Sequence, residues 1–258
     1  MNRVASVVVA AACVAGGAGA ALAGIEPNGV FVVERIFNDY PDSMLTVTNN
    51  FPSLVSFDET NFGAGGFANR HSAYFSTDGG ATAHDFGYAD AWDISVSMAH
   101  TSDPATGREA GFHADLFGFG FFGPLPGNGE VAAFGSIFPF HSFGPGIWTP
   151  GEVIDLRMIY RPGDGDGINP LPVGSDPSTI EYIYDLGDGP VSSGQIPFTN
   201  TEGGVPENFT FLLGVGTQNQ GAPGGTAHVD FRNFVVPAPG AVALIGMGGL
   251  LAGRRRRA

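Results

Sequence analysis

Few residues in this chain have the type and spacing that chemistry needs. Asp164-Gly165-Asp166-Gly167-Ile168-Asn169 offers carboxylate and amide oxygens on a turn, the hard ligands that Ca²⁺ prefers. Asp164, Asp166 and Asn169 are therefore candidate calcium ligands. They lack the distant bidentate glutamate of an EF-hand, and a solvated Asp-Gly hairpin loop reads the same stretch. Asp185-Leu186-Gly187-Asp188-Gly189 is a weaker version. Hydrolysis of a glycosidic bond needs two carboxylates projecting from one strand face. Asp85/Asp90/Asp93 and Glu152/Asp155 are the nearest clusters, and neither spacing puts two glutamates on one face. No Gly-x-Ser-x-Gly elbow or His-Glu-x-x-His helix occurs. His71, His84, His100, His113, His141 and His228 are scattered, though His100 and His113 would meet if their strands paired. Sugar recognition uses flat aromatic platforms flanked by hydrogen-bonding groups. Trp148, within the proline-studded loop Phe138–Pro150, is the candidate platform, with Tyr160, Tyr182 and Tyr184 as helpers. Trp92 heads an alternating strand and reads as core.

These groups need a scaffold, and the patterning gives a β one. Short β-branched and aromatic runs alternate with Gly, Pro, Asn and Asp, and no long amphipathic helix separates them. Strands are expected at Val30–Phe37, Met44–Thr48, Leu54–Asp58, Arg70–Ser76 and Trp92–Met98. Ala110–Phe122 reads as one long Phe-rich strand bent at its glycines, its phenylalanines in the core. Glu130–Ile137, Val153–Tyr160, Ile180–Asp185, Phe209–Val215 and Ala227–Val235 complete the set. Roughly ten to twelve short strands without a βαβ unit predict an all-β, two-sheet antiparallel jelly-roll sandwich.

Both ends differ from the body. Arg3, the apolar run Val4–Val14 and Ala21-Leu22-Ala23 before Gly24 fit a signal peptide over residues 1–23, with the small residues Ala21 and Ala23 marking cleavage before Gly24. Cys13, the chain's one cysteine, leaves with it, so the body (24–235) has no thiol chemistry. The tail, 236–258, opens with Val236-Pro237-Ala238-Pro239-Gly240. It continues as an uncharged run, Ala241–Gly253, and ends in Arg254, Arg255, Arg256 and Arg257. The run is shorter than the roughly 20 residues of a full span, and clustered arginine stays on the cytoplasmic side as a stop-transfer signal. With both ends removed, 25 acidic residues face 6 arginines, about −19 with His neutral. Such a surface repels nucleic acid and anionic lipid.

The tail resembles the C-terminal sorting signal of PEP-CTERM proteins, with Ala238 where that family usually has Glu. The resemblance implies export, transient anchoring by a short transmembrane helix, and recognition by an exosortase-type membrane transpeptidase that sends the body to the cell surface or extracellular matrix. An uncleaved tail anchor is the alternative. The strand order of the body resembles the concanavalin A-like lectin/glucanase sandwich, carried by Trp92–Met98 paired with Ala110–Phe122, by Val153–Arg161 and by Val229–Phe234. A carbohydrate-module jelly roll is the competing architecture. Glycosidases of the lectin/glucanase family carry Glu-x-Asp-x-Glu, which is absent here. The expectation is therefore a non-enzymatic domain, without an organic cofactor, that binds extracellular polysaccharide. The alternatives are a glycan-processing enzyme with an unrecognised carboxylate pair and a purely structural surface protein.

Overall fold

The computed structural model describes residues 24–64, 66–102, 107–116, 118–163, 177–198 and 210–236. The candidate calcium ligands Asp164, Asp166 and Asn169, the signal residues Ala21 and Ala23, and the tail beyond Val236 lie outside them.

Two antiparallel sheets face each other, and no helix occurs among the described residues. Sheet A runs in the order β1 (Gly29–Asn38), β4 (Asn69–Ser76), β15 (Phe211–Gln220), β7 (Gly107–Asp115), β8 (Phe119–Leu125), β9 (Glu130–Phe134) and β10 (His141–Ser142), with β5 (Asp85–Phe86) paired on β15. Sheet B runs β13 (Val191–Ser192), β12 (Thr179–Asp185), β11 (Val153–Arg161), β6 (Trp92–Ser102), β16 (Thr226–Val235), β3 (Leu54–Thr60) and β2 (Met44–Asn50), with β14 (Ile196–Pro197) on β12. The period-two pattern explains the layering. On β6, Trp92, Ile94, Val96 and Met98 are buried between the sheets, and Asp93, Ser95 and Ser97 face outward. On the facing sheet, Ala73 and Phe75, Leu213 and Val215, and Ala110 and Phe112 fill the same space. Each fully buried Phe or Leu side chain contributes about 1.5–3 kcal/mol.

Two expectations about the centre of the chain are corrected. Ala110–Phe122 is a hairpin, not one bent strand: β7 and β8 pair with Phe112 opposite Phe122 and Asp115 opposite Phe119. The turn between them is closed by Leu116 N–H donating to Gly118 O at 3.3 Å. The hairpin also divides the phenylalanines. Phe112 and Phe122 enter the core, whereas Phe119 and Phe121 lie on the outer side of sheet A. Nor does the Trp92–Met98 strand pair with this segment. A strand has two edges, and those of β6 are taken by β11 and β16.

One end of the inter-sheet space is polar. Glu59, on the inward face of β3, is fully buried. Its Oε1 accepts from Ser43 Oγ and Asn69 Nδ2, each at 2.6 Å, and its Oε2 from Asn219 Nδ2 at 2.9 Å. His71 Nε2 lies 3.1 Å from the same Oε2. The Arg35 backbone N–H donates to His71 Nδ1 at 3.0 Å, so the ring proton sits on Nε2 and is given to Glu59. Burial alone would raise the Glu59 carboxyl. The bonds from His71, Asn219 and Ser43 outweigh it and hold the group at about 2. Arg35 sits at φ 56° in a bulge, where β1 advances from Val33 to Phe37 while β4 moves only from Ser72 to Arg70. Its guanidinium latches the β1–β2 turn through Ser43 O at 2.6 Å and Tyr40 O at 3.1 Å.

Candidate functional site on the outer face of sheet A

The alternation that sends Ala73 and Phe75 inward sends Arg70, Ser72 and Tyr74 outward. The same rule puts Glu109, His113 and Asp115 on the outer face of β7, and Gly214, Gly216 and Gln218 on that of β15 between them. Gly214 is the register partner of both Tyr74 and His113. Two proton-carrying side chains thus flank a position with no side chain, their Cα atoms about 10 Å apart across two ladder spacings. A Cβ on Gly214 would fall 2.2 Å from Ala73 O and 2.6 Å from Tyr74 Cα. A Cβ on Gly216 would fall 2.5 Å from His113 Nδ1. Any other residue at 216 displaces the imidazole.

Asp115 gathers the cluster. Its Oδ1 accepts from Arg70 Nη2 at 2.6 Å, and its Oδ2 accepts a short hydrogen bond from the Tyr74 hydroxyl. The Arg70 guanidinium is held between two rings, 5.2 Å from the Phe37 centroid and 4.6 Å from that of Phe119. His113 Nδ1 lies 3.1 Å from Ser72 Oγ, and the ring meets Phe119 edge-on at 4.5 Å. Two atoms here are buried without a hydrogen-bond partner, Arg70 Nε and His113 Nε2. Burial, with the Arg70 charge adding to it, keeps His113 well below its ordinary range, so the imidazole is neutral. Burial and the Asp115 charge push Tyr74 up to about 12, so the phenol keeps its proton. Further along β7, Glu109 accepts a long bond from Gln218 Nε2 at 3.4 Å, and burial raises its carboxyl. Phe31 and Phe37, on the edge strand β1, are the exposed aromatics beside the cluster.

This arrangement supplies a neutral base, a protonated acid and a cation. It does not supply a hydrolase carboxylate pair. Glu109 and Asp115 are six residues apart on one strand, about 20 Å, well beyond the separations that hydrolysis uses.

No protein-family model matches the sequence, and no curated protein does. Among solved structures, the chain is similar to the family 7 alginate lyase A1-II' in complex with substrate, at 12% identity, with 75% of this chain and 81% of that one covered and a TM-score of 0.41. It is also similar to lectin UEA-II complexed with galactose, at 12% identity, 83% and 96% coverage and a TM-score of 0.37. A protein of unknown function from Shewanella oneidensis MR-1 matches at 10% identity, 81% and 80% coverage and a TM-score of 0.37. The likeness is one of fold, an antiparallel two-sheet sandwich of the lectin type. The expectation of a non-enzymatic body is withdrawn. It rested on the absence of recognised catalytic motifs, and the sandwiches similar to this one include lyases, which are enzymes, as well as lectins.

The residues singled out in the sequence are placed as follows. Trp148 is not a platform. It is 2% exposed, its Nε1 donates to Glu152 O at 3.0 Å, and its ring stacks on His100 inside the core. Trp148→Ala should therefore cost about 3–5 kcal/mol of stability, measured by denaturant unfolding; an unchanged midpoint with lost polysaccharide retention would restore the platform reading. Tyr160 and Tyr182 are buried and donate to Tyr88 O and Pro139 O. Tyr184 is partly buried against Phe143. Trp92 is core, stacked on Tyr160 at 5.3 Å. His100 faces between the sheets and His113 faces out from sheet A, so the two do not meet. No cluster of three metal-ligating side chains occurs among the described residues. Asp93 is held by Arg157, Asp90 accepts from Gly87 N–H, and Glu152 accepts from Thr149 N–H. The Asp185 Oδ1 accepts from Gly187 and Gly189 N–H in its own turn.

Of this cluster only His113 stood out in the sequence, as one of the scattered histidines, and nothing in the sequence patterning assigned a role to Arg70, Tyr74 or Asp115. One signal for them was available. Asn69-Arg70-His71-Ser72 is polar on both faces of a strand, which a sandwich core does not call for.

Proposed function

We propose that this protein is a glycan-processing enzyme that cleaves an acidic polysaccharide by elimination on the outer face of sheet A. The observation that carries the reading is the neutral His113 and protonated Tyr74 on either side of Gly214, with the Arg70 guanidinium beside them. All three are buried, so the side chains covering them, Phe119 among them, must move for a sugar to reach them. His113 Nε2 takes the proton from the ring carbon that bears the sugar carboxylate. The freed electron pair forms a double bond to the neighbouring carbon, and that carbon's bond to the glycosidic oxygen breaks. The leaving oxygen takes the Tyr74 proton. Arg70 offsets the charge that builds on the carboxylate. For His113 to act as base, Nδ1 carries the ring proton and donates it to Ser72 Oγ. Incubation of the full chain with a panel of acidic and neutral polysaccharides tests the reading. New reducing ends accompanied by ultraviolet absorbance of an unsaturated sugar support it. Reducing ends without that absorbance point to hydrolysis, and retention without cleavage points to a lectin-like role.

We further propose that delivery follows the two ends of the chain. Residues 1–23 direct export, and the tail from Val236 is read by an exosortase-type transpeptidase that leaves the body at the surface or in the matrix. Val236 packs against the core, so the Pro-x-Pro motif follows directly in sequence on a residue of the body. Deleting 240–258 should leave the body folded and move it to a different cell fraction; unchanged fractionation would remove the sorting role.

A further inference from the structure

Two arginine–carboxylate pairs in this protein differ in one respect. Arg157 meets Asp93 at two points, through Nε at 2.7 Å and Nη2 at 2.6 Å, the planar fork that guanidinium and carboxylate geometry favours. Arg70 meets Asp115 through Nη2 at 2.6 Å, and its Nε is buried without a partner. The second oxygen of Asp115 is drawn to the Tyr74 hydroxyl instead. The guanidinium is not free to swing and recover the missing bond, because Phe37 and Phe119 hold its position. His113 Nε2 is a second buried polar atom without a partner in the same cluster. A buried N–H left without an acceptor is costly, so the fixed edge of Arg70 lacks a second acceptor, which Asp115 does not supply.

From this difference we infer that Asp115 holds the place of a ligand carboxylate. An acid sugar engages Arg70 through both Nε and Nη2, and Asp115 yields its corner of that edge. Asp115 is then a specificity-determining residue. A neutral sugar brings no charge with which to displace it, and a carboxylate does. The inference rests on the acid-sugar reading proposed above and adds how the site selects for that charge.

The test uses the full chain and calorimetric titration with an oligouronate and a neutral oligosaccharide of equal length. Asp115→Asn keeps the side-chain shape and removes the competing charge. It should bind the oligouronate about tenfold more tightly than the unsubstituted protein and leave the neutral ligand unchanged. Arg70→Lys should lose the preference for the acid sugar, because an ammonium offers no planar edge. A third reading needs no folded variant. The Arg70 Nε–H resonance of the unsubstituted protein should shift on adding the oligouronate and stay in place with the neutral ligand. Equal or weaker oligouronate binding by Asp115→Asn, or a stationary Nε–H resonance, while the unsubstituted protein still cleaves acidic polysaccharide, overturns this inference and leaves the proposed function standing. Failure of the unsubstituted protein to bind or cleave any acidic glycan overturns both.

Discussion

His113→Ala should lower polysaccharide cleavage by about 10²–10⁴-fold, the usual contribution of a positioned proton acceptor, with little change in substrate binding. Tyr74→Phe removes the donated proton and should cost a similar factor, since the ring keeps its packing and only the hydroxyl is lost. The pH profile separates this pair from one of ordinary pKa. The base must be unprotonated and the acid protonated. Burial holds His113 well below the imidazole range and Tyr74 at about 12, so both conditions hold throughout the neutral region. Cleavage should run as a plateau from mildly acidic pH well into the alkaline range, with the alkaline loss set by Tyr74. A narrow maximum with an acidic limb at the ordinary histidine pKa would show that His113 titrates as an exposed residue and would sink the assignment.

Glu59→Ala should destabilise the fold by about 3–5 kcal/mol, the cost of breaking a buried charged network from one side. The loss leaves the donors of Ser43, Asn69, His71 and Asn219 facing a void. Glu59→Gln keeps the volume and should lose less. The acid limb of stability distinguishes charge from packing. Glu59 is lowered from 4.5 to about 2 on folding, so its contribution is complete above the unfolded value. It is lost as pH falls from about 4.5 towards 2, a loss of about 3 kcal/mol. Unfolding curves over that window should converge for the native protein and Glu59→Gln as the pH drops. Parallel curves would mean that the carboxylate carries no such linkage.

The strands were legible because their alternation is strong. Trp92–Met98 and Val153–Tyr160 each present one apolar and one polar face, and both appear as sequence patterning suggests. Pairing was not legible, because hydrogen-bond partners leave no mark on a single strand. Trp92–Met98 and the Phe-rich stretch were expected to be neighbours and lie in opposite sheets. Gly118 and Gly120 signalled irregularity but not whether it was a bend or a full reversal. Trp148 was misjudged because prolines suggest a surface loop, whereas the indole of this loop turns inward and satisfies its N–H on Glu152 O. The candidate site was the least legible part. Arg70, Tyr74, His113 and Asp115 come from two strands separated in the sheet by β15, and only that third strand, with its glycines, lets them meet. The Glu59 network was hidden for the same reason, since its partners Ser43, Asn69 and His71, and Asn219 come from three separate stretches of chain.

The position of β16 has a mechanical meaning. It is an inner strand of sheet B, bonded to β6 on one side and to β3 on the other, and it ends at Val235 next to the start of the tail. A tether attached beyond Val236 would pull along the axis of a strand clamped on both edges. Such a load shears many ladder bonds at once, whereas an edge strand peels one bond at a time. Under the proposed delivery, a body held by this end would be loaded through an inner strand rather than an edge strand.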